Sequence, residues 1–339
     1  MPVPSNTAVR LARRPQGLPD QQTWSITTED TPALDEGHFL VRVEQVSLDP
    51  AMRGWLDDRP SYLPPVAVGD VMRAGGVGTV VESRHRRFPE GTAVMGTLGV
   101  QQYAVSNGTG VERIDPTLGT PSMYLGVLGI TGLTAYYGLL KHGQPRAGDT
   151  VVVSAAAGAV GSIVGQLARI SGCRVVGIAG GPDKCHYLVD TLGFDAAVDY
   201  QAGSVRKSVA EACPAGIDVF FDNVGGEILD AALMSLAFGA RVVICGAISQ
   251  YNATERGSGP TNYMNLLVRR ARMEGFLYFD NVADFPVARR RLAAWVADGS
   301  ISAPETLVPG TVSDFPSVFV RLFSGDNIGK LILDLTEGS

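Results

Sequence analysis

The sequence predicts an α/β fold: a β-rich domain with a doubly wound parallel-sheet domain inserted in it. Three observations carry that expectation. Short apolar runs broken by Gly and Pro turns fill roughly the first 130 residues. After Gly148-Asp149, strand-like runs alternate with helix-length segments, which is the texture of a parallel sheet covered on both faces. Roughly the last 40 residues return to β texture. A chain of 339 residues has room for about two domains and can bury its core without disulfides or a structural metal. The expected boundaries are 1–130 with 301–339 for the β-rich domain, and 131–300 for the inserted one.

The elements follow in order. Residues 39–46 are apolar and β-branched and stop at Asp49-Pro50. The glycines at 75–78 lead into a strand over 79–82, and 92–95 follows the turn at Pro89-Glu90-Gly91. Further on, 151–153 is a strand, then a glycine turn, then a helix over 163–170. Strands at 174–178, 196–198, 218–221, 241–244 and 275–279 alternate with helices at 184–191 and 228–236. Phe285, Ala288, Leu292, Trp295 and Val296 share one helical face, with Asn281 and Asp284 as a start signal and Gly299 as a stop. An apolar strand over 331–335 is expected to rejoin the first domain.

Charge and composition remove several function classes. Lys and Arg number 28 against 34 Asp and Glu, a net charge of −6, so nothing favours nucleic acid or an anionic membrane surface. The uncharged stretches 116–140 and 150–168 are broken by Gly, Pro, Ser and Thr, so neither reads as a membrane span. The four cysteines form no C-x-x-C pair and read as free thiols in a reducing cytoplasm. Arg10, Arg13 and Arg14 precede no apolar stretch of a secretory signal, so the sequons at Asn107 and Asn252 carry no weight. No cysteine precedes Cys173, and His38, His85 and His142 form no ligand spacing, so no metal is expected. No G-x-S-x-G elbow supports a hydrolase. Arg269, Arg270, Arg272 and Arg289 to Arg291 read as solvated helix faces, and His142 and His186 as surface or satisfied residues rather than acid–base groups.

The most informative segment is Ser154-Ala155-Ala156-Ala157-Gly158-Ala159-Val160-Gly161. It fits G-x-G-x-x-G with Ala156 at the first glycine. Gly158 lets backbone approach a pyrophosphate, Gly161 lets the helix pack on the sheet, and the helix N-terminus offers N–H groups to the phosphates. A tight strand-to-helix turn without a ligand is the plainer alternative. The strand–turn–helix–strand setting favours a dinucleotide. About 20 residues on, 179–184 carry glycines rather than an acid at the strand end. Lys184 suits a 2′-phosphate and favours NADP, while Asp183 keeps NAD open.

Several segments together resemble one family. They are Ser47-Leu48-Asp49-Pro50-Ala51-Met52-Arg53-Gly54, the run 127–140, the alanine-glycine turn, Asp222-Asn223-Val224-Gly225-Gly226, the run 245–252, and Asn327-Ile328-Gly329-Lys330. The chain resembles the zinc-free medium-chain dehydrogenase/reductases of the prostaglandin, alkenal and curcumin reductase group. The resemblance implies a GroES-like catalytic domain with an inserted Rossmann domain, and NADPH-dependent reduction of the C=C bond of enals and enones. It places Gly158, Ala159, Val160 and Gly161 at the pyrophosphate, and Lys184 and Tyr200 at the adenosine-phosphate end. Asn223, Cys245, Gly246, Ser249 and Tyr251 come beside the cofactor, and Phe276, Leu277, Tyr278 and Asn327 near the nicotinamide. Tyr251 matches the tyrosine that reaches the substrate carbonyl, a role that suits a phenol. It could instead only pack on the ring. Tyr62 is a candidate for the pocket mouth or simply a loop aromatic. Ala51 stands where the family usually has tyrosine, which suggests a roomier cleft.

The resemblance also implies a homodimer, and an apolar edge at 275–279 would offer a pairing strand. A quinone reductase on the same cofactor site and a noncatalytic NADPH-binding protein remain the alternatives.

Overall fold

The structure, a computed structural model, describes residues 4–255, 257 and 259–336. The chain divides into two units, Met1–Leu125 with Glu305–Ser339, and Gly126–Pro304.

The first unit opens with an antiparallel pair, β1 (Ser5–Leu11) and β2 (Trp24–Asp30). The strands β3 (Phe39–Ser47), β4 (Gly75–Ser83), β5 (Ala93–Thr97), β6 (Tyr103–Ser106) and β7 (Val111–Arg113) follow. β3 buries Phe39, Val41, Val43 and Val46 and pairs antiparallel with both β4 and β6. Gly78 permits the first pairing, because a Cβ there would run into the Arg42 carbonyl oxygen.

The second unit begins with α1 (Ile130–Tyr136), which continues as a π-helical segment, Tyr137–Gly143. Then come β8 (Thr150–Ser154), α2 (Ala159–Ile170), β9 (Arg174–Ala179), α3 (Pro182–His186) and β10 (Ala196–Asp199). A second half follows: α4 (Val205–Ala212), β11 (Ile217–Asp222), α5 (Gly226–Met234), β12 (Leu236–Ile244), α6 (Met264–Arg269), β13 (Arg272–Gly275) and α7 (Phe285–Ala297). The strand order is β10-β9-β8-β11-β12-β13, all parallel. This is the doubly wound sheet, and its order reverses between β8 and β11. Ligands of such sheets bind at the carboxyl ends of the strands at that reversal. Every residue of β8 is buried, which explains its unbroken apolar character.

The chain then returns to the first unit. β14 (Glu305–Pro309), α8 (Phe315–Ser324) and β15 (Lys330–Asp334) follow, and β15 joins β14 to β3. Phe315 and Phe319 pack edge-on against Trp24 under the sheet, with ring centroids 5.3 and 6.2 Å away.

Several expectations need correction. The strand expected at 275–279 is Arg272–Gly275 instead, an edge strand that carries charge. The Phe276 ring turns onto Gly138 and Phe221, so the apolar run that follows β13 covers the π-helical segment. The helix expected to reach residue 236 ends at Met234, since Leu236 already pairs with Ile217. Residues 278–284 form a 3-10 segment ahead of α7, and the Asp284 carboxylate accepts from the Tyr137 hydroxyl at 3.2 Å instead of capping that helix. The terminal β texture hides α8, although Phe315, Val318, Phe319 and Leu322 share one buried face. The basic triplet at 289–291 is solvated at Arg290 and Arg291 but not at Arg289. Arg289 is buried and donates to the Leu128 carbonyl at 2.9 Å, and Arg291 donates to the Tyr136 hydroxyl at 2.8 Å.

Candidate active site

The turn after β8 is built by its small residues. Ser154 ends the strand, and Ala155 takes a left-handed conformation at φ 47°. The tight bend therefore falls on Ala155 and not on Ala156, where the sequence pattern placed it. Ala156 donates from its amide to the Ile178 carbonyl at 3.0 Å. A left-handed alanine stores roughly 1–2 kcal/mol, held by the surrounding sheet. Gly158 is the residue before α2 and brings no side-chain cap. The first-turn N–H groups of any α-helix lack intrahelical partners, so the amides after Gly158 present donors and a partial positive charge. Gly161 sits where a Cβ would lie 2.8 Å from Ala156 Cα and collide with the Ala155 carbonyl oxygen. Only glycine lets α2 press this closely on the turn. An anionic phosphate fits that cradle on charge and on shape.

At the strand reversal, β8 and β11 are joined by side chains. The Ser154 hydroxyl donates to Asp222 Oδ1 at 2.8 Å and accepts from the Asn223 amide at 2.8 Å. Asn223 Nδ2 donates to the Ser154 carbonyl at 2.7 Å. Asp222 is 1% exposed, and its carboxylate also accepts from the backbone amides of Val224 and Gly225, each at 3.0 Å to Oδ1. Burial pushes its carboxyl above the usual range, opposed by those hydrogen bonds. Neither Asp222 nor Ser154 is singled out by residue-type reasoning, since a lone Asp ending an apolar strand has no distinctive spacing.

The run after β12 lies against the same turn. The amides of Cys245 and Gly246 donate to the Asp222 carbonyl at 2.8 and 3.1 Å. Burial, with the Asp222 charge beside it, pushes the Cys245 thiol up to about 12. The Ser249 hydroxyl donates to the Val224 carbonyl at 2.6 Å. The Tyr251 oxygen accepts from the Ala247 amide at 3.3 Å, above Gly246.

At the far end of the sheet, α3 carries Lys184, half-buried, one turn past Gly181 at φ 84°. The Tyr200 hydroxyl lies against Gly180. Asp199, at the end of β10, accepts from the Gly181 and Gln201 amides at 2.9 Å each. An acid thus stands beside this strand end, supplied by the next strand. It escapes a count along the chain from the glycines, and the backbone already uses one of its oxygens. Phe276 packs inward, stacked on His142 at 5.2 Å, and Tyr278 stacks on Phe285 at 5.8 Å, with Leu277 between them in sequence. His142 also faces Glu274 at 3.3 Å.

Tyr62 and Asn327 belong to the first unit, while the other expected site residues all lie in the second. Tyr62 is 48% exposed in a loop, and Asn327 donates to the Gly329 carbonyl at 3.0 Å. The 47–54 motif owes its shape to ion pairs. Lys330 donates to the Leu48 carbonyl at 2.6 Å and to Asp49 at 2.8 Å, and the buried Arg53 donates to the Gly17 carbonyl and to Asp57. Ala51 is half-buried among them.

Residues 7–114 match a family described as the N-terminal domain of oxidoreductase, and 159–294 one described as zinc-binding dehydrogenase. Among the described residues no group of three or more His, Cys, Asp or Glu could hold a metal ion, so those residues offer no site for the metal in that description. The chain is 41% identical to the NADPH-dependent curcumin reductase of Escherichia coli over 95% of each chain. It is 37% identical to prostaglandin reductase 1 of Mus musculus over 95% of this chain and 97% of that one. The crystal structure of CurA from Vibrio vulnificus in complex with NADPH superposes with a TM-score of 0.91 at 42% identity, covering 97% of this chain and 98% of that one. The chain belongs to the zinc-free medium-chain dehydrogenase/reductases, in the group of the curcumin and prostaglandin reductases.

Proposed function

We propose that the protein uses NADPH to reduce the C=C bond of small α,β-unsaturated ketones and aldehydes. The observation that carries this reading is the uncapped N-terminus of α2, pressed onto the turn through Gly161 at the reversal of the sheet. The relatives named above support both the cofactor and the substrate class. Gly158, Ala159, Val160 and Gly161 hold the pyrophosphate, and Lys184 with Tyr200 the adenosine-phosphate end. Asn223, Cys245, Gly246 and Ser249 flank the cofactor, and Phe276, Leu277, Tyr278 and Asn327 serve the nicotinamide. Bound NADPH supplies the hydride that the β-carbon receives.

The chain's own contribution is to the oxygen. Tyr251 donates its hydroxyl proton in a hydrogen bond to the substrate carbonyl as negative charge builds there. The Ala247 amide, donating to the same phenol oxygen, strengthens it as a donor. The α-carbon takes its proton from solvent. Tyr62 borders the substrate.

The protein acts in the cytoplasm as a homodimer. The four free thiols support a reducing compartment. Phe238 on β12 and Leu267 and Val268 on α6 are exposed apolar side chains and support pairing with a second copy. Leu267→Glu should then shift the sedimenting species from dimer to monomer, and an unshifted species refutes that face.

The test of function is NADPH consumption with a small enone, with a quinone and with no acceptor. Turnover on the enone alone is expected. Turnover only on the quinone, or tight NADPH binding without turnover on either, refutes the reading.

A further inference from the structure

We infer that Asp222 is a positioning residue whose buried carboxylate sets the cofactor turn and the Tyr251 loop in register. The inference rests on the function proposed above. Three segments meet at this residue. Its carboxylate holds the Ser154 hydroxyl, at the point where β8 passes into the glycine turn. The same carboxylate holds the amides of Val224 and Gly225. Its backbone carbonyl takes the amides of Cys245 and Gly246. The Tyr251 loop then hangs from the segment so fixed. The Ile248 amide donates to the Asn223 carbonyl at 3.2 Å, and the Ser249 amide and hydroxyl both donate to the Val224 carbonyl.

A purely structural account of Asp222 is weak. A carboxylate at 1% exposure is an expensive way to fill a core between apolar strands. An apolar side chain of similar volume would serve stability as well or better. What it could not do is gather amides. Gly225 and Gly226 stand at φ 71° and 56°, a turn that aims successive N–H groups at one anion. Nor does the network contribute a reacting group, since among the described residues the Asp222 carboxylate bonds to backbone amides and to Ser154. Its effect is to make two segments that serve opposite ends of the reaction, donor seat and carbonyl donor, a single rigid piece. Displacements of about 1 Å in such a seat are enough to lower the rate strongly.

The test uses the full chain with three substitutions. Ser154→Ala removes the hydroxyl that joins β8 to the carboxylate. Ser154→Thr restores it. Asp222→Asn keeps an acceptor for Ser154, Val224 and Gly225 but sets an amide donor against the Gly225 amide, which now lies 3.1 Å from Oδ2. NADPH affinity is read by the change in nicotinamide fluorescence, kcat at saturating NADPH and enone by absorbance, and folding by thermal unfolding. Ser154→Ala should remain folded, lose about three- to tenfold in kcat, and bind NADPH several-fold more weakly. Ser154→Thr should recover most of both. Asp222→Asn should follow Ser154→Ala, and if it does not fold, the serine pair decides alone. Variants with lowered unfolding temperature but wild-type kcat and NADPH affinity would overturn the positioning role alone. A wild type that binds NADPH but reduces no enone would overturn the substrate reading, while the affinity ratios still judge Asp222. A wild type that binds no NADPH would overturn both.

Discussion

Gly161→Ala isolates the close approach of α2 to its turn. A methyl there meets Ala156 Cα at 2.8 Å, where ordinary contact begins at 3.4 Å, and it meets the Ala155 carbonyl oxygen more closely still. Both are backbone atoms and cannot rotate away. The helix must therefore back off by at least about 0.6 Å, the difference between those two distances. Overpacking of this kind costs about 1–3 kcal/mol, and alanine returns about 1 kcal/mol of helix propensity. The net loss of stability is therefore modest, between zero and about 2 kcal/mol. Binding should suffer more. A shift approaching 1 Å in positioned groups can cost on the order of a hundredfold, so NADPH affinity should fall at least about tenfold. Leu167→Ala makes the comparison fair. Leu167 lies on the same helix, 1% exposed, and its truncation costs about 2–5 kcal/mol without touching the turn. The assay pairs NADPH titration with thermal unfolding of both variants. Gly161→Ala binding at wild-type affinity would refute the cradle, and so would an equal loss of affinity in Leu167→Ala.

Three further outcomes are expected. Tyr251→Phe should lower kcat by about a hundredfold while NADPH affinity changes little, the signature of a donor used mainly in the transition state; an unchanged kcat removes Tyr251 from the chemistry. With its thiol pushed up to about 12, Cys245 should resist iodoacetamide at pH 8, because little thiolate is present. Rapid alkylation at that residue, followed by peptide mass spectrometry, would contradict a thiol raised in this way. Lys330→Met leaves the Asp49 carboxylate and the Leu48 carbonyl without the ammonium they share, and should cost about 3–5 kcal/mol in urea unfolding; a loss under 1 kcal/mol would show that water replaces it.

The parts of the fold that were legible are those whose local pattern and tertiary fate agree. β8 is fully buried, so its run of valines reports its true environment. The turn into α2 needs glycine for a contact within six residues of itself, and the sequence displays that need. β13 was displaced because its environment is decided elsewhere. As an edge strand it tolerates Arg272 and Glu274, whereas the apolar run that imitates a strand is recruited to cover Gly138 and Phe221. Arg289 was misread for a related reason. Three consecutive arginines on a helix point in three directions, and one of them reaches the Leu128 carbonyl inside the unit.

The same distinction runs through the candidate site. Gly158 and Gly161 announce themselves because their constraint is local. Asp222 does not, because its partners come from residues 154, 224 and 225, and its carbonyl serves 245 and 246. An aspartate is inexpensive where water can reach it and conspicuous only once burial is known. Asp199 shows the matching error in the opposite sense. Along the chain from the glycines no acid stands at the end of β9, while the adjacent strand delivers one to Gly181. Parallel sheets bring carboxyl ends of sequence-distant strands together, so the residues that organise such a site are drawn from several strand ends at once. A motif read along one of them finds the glycines of the proposed phosphate cradle and leaves out the carboxylate proposed to keep it aligned with the phenol.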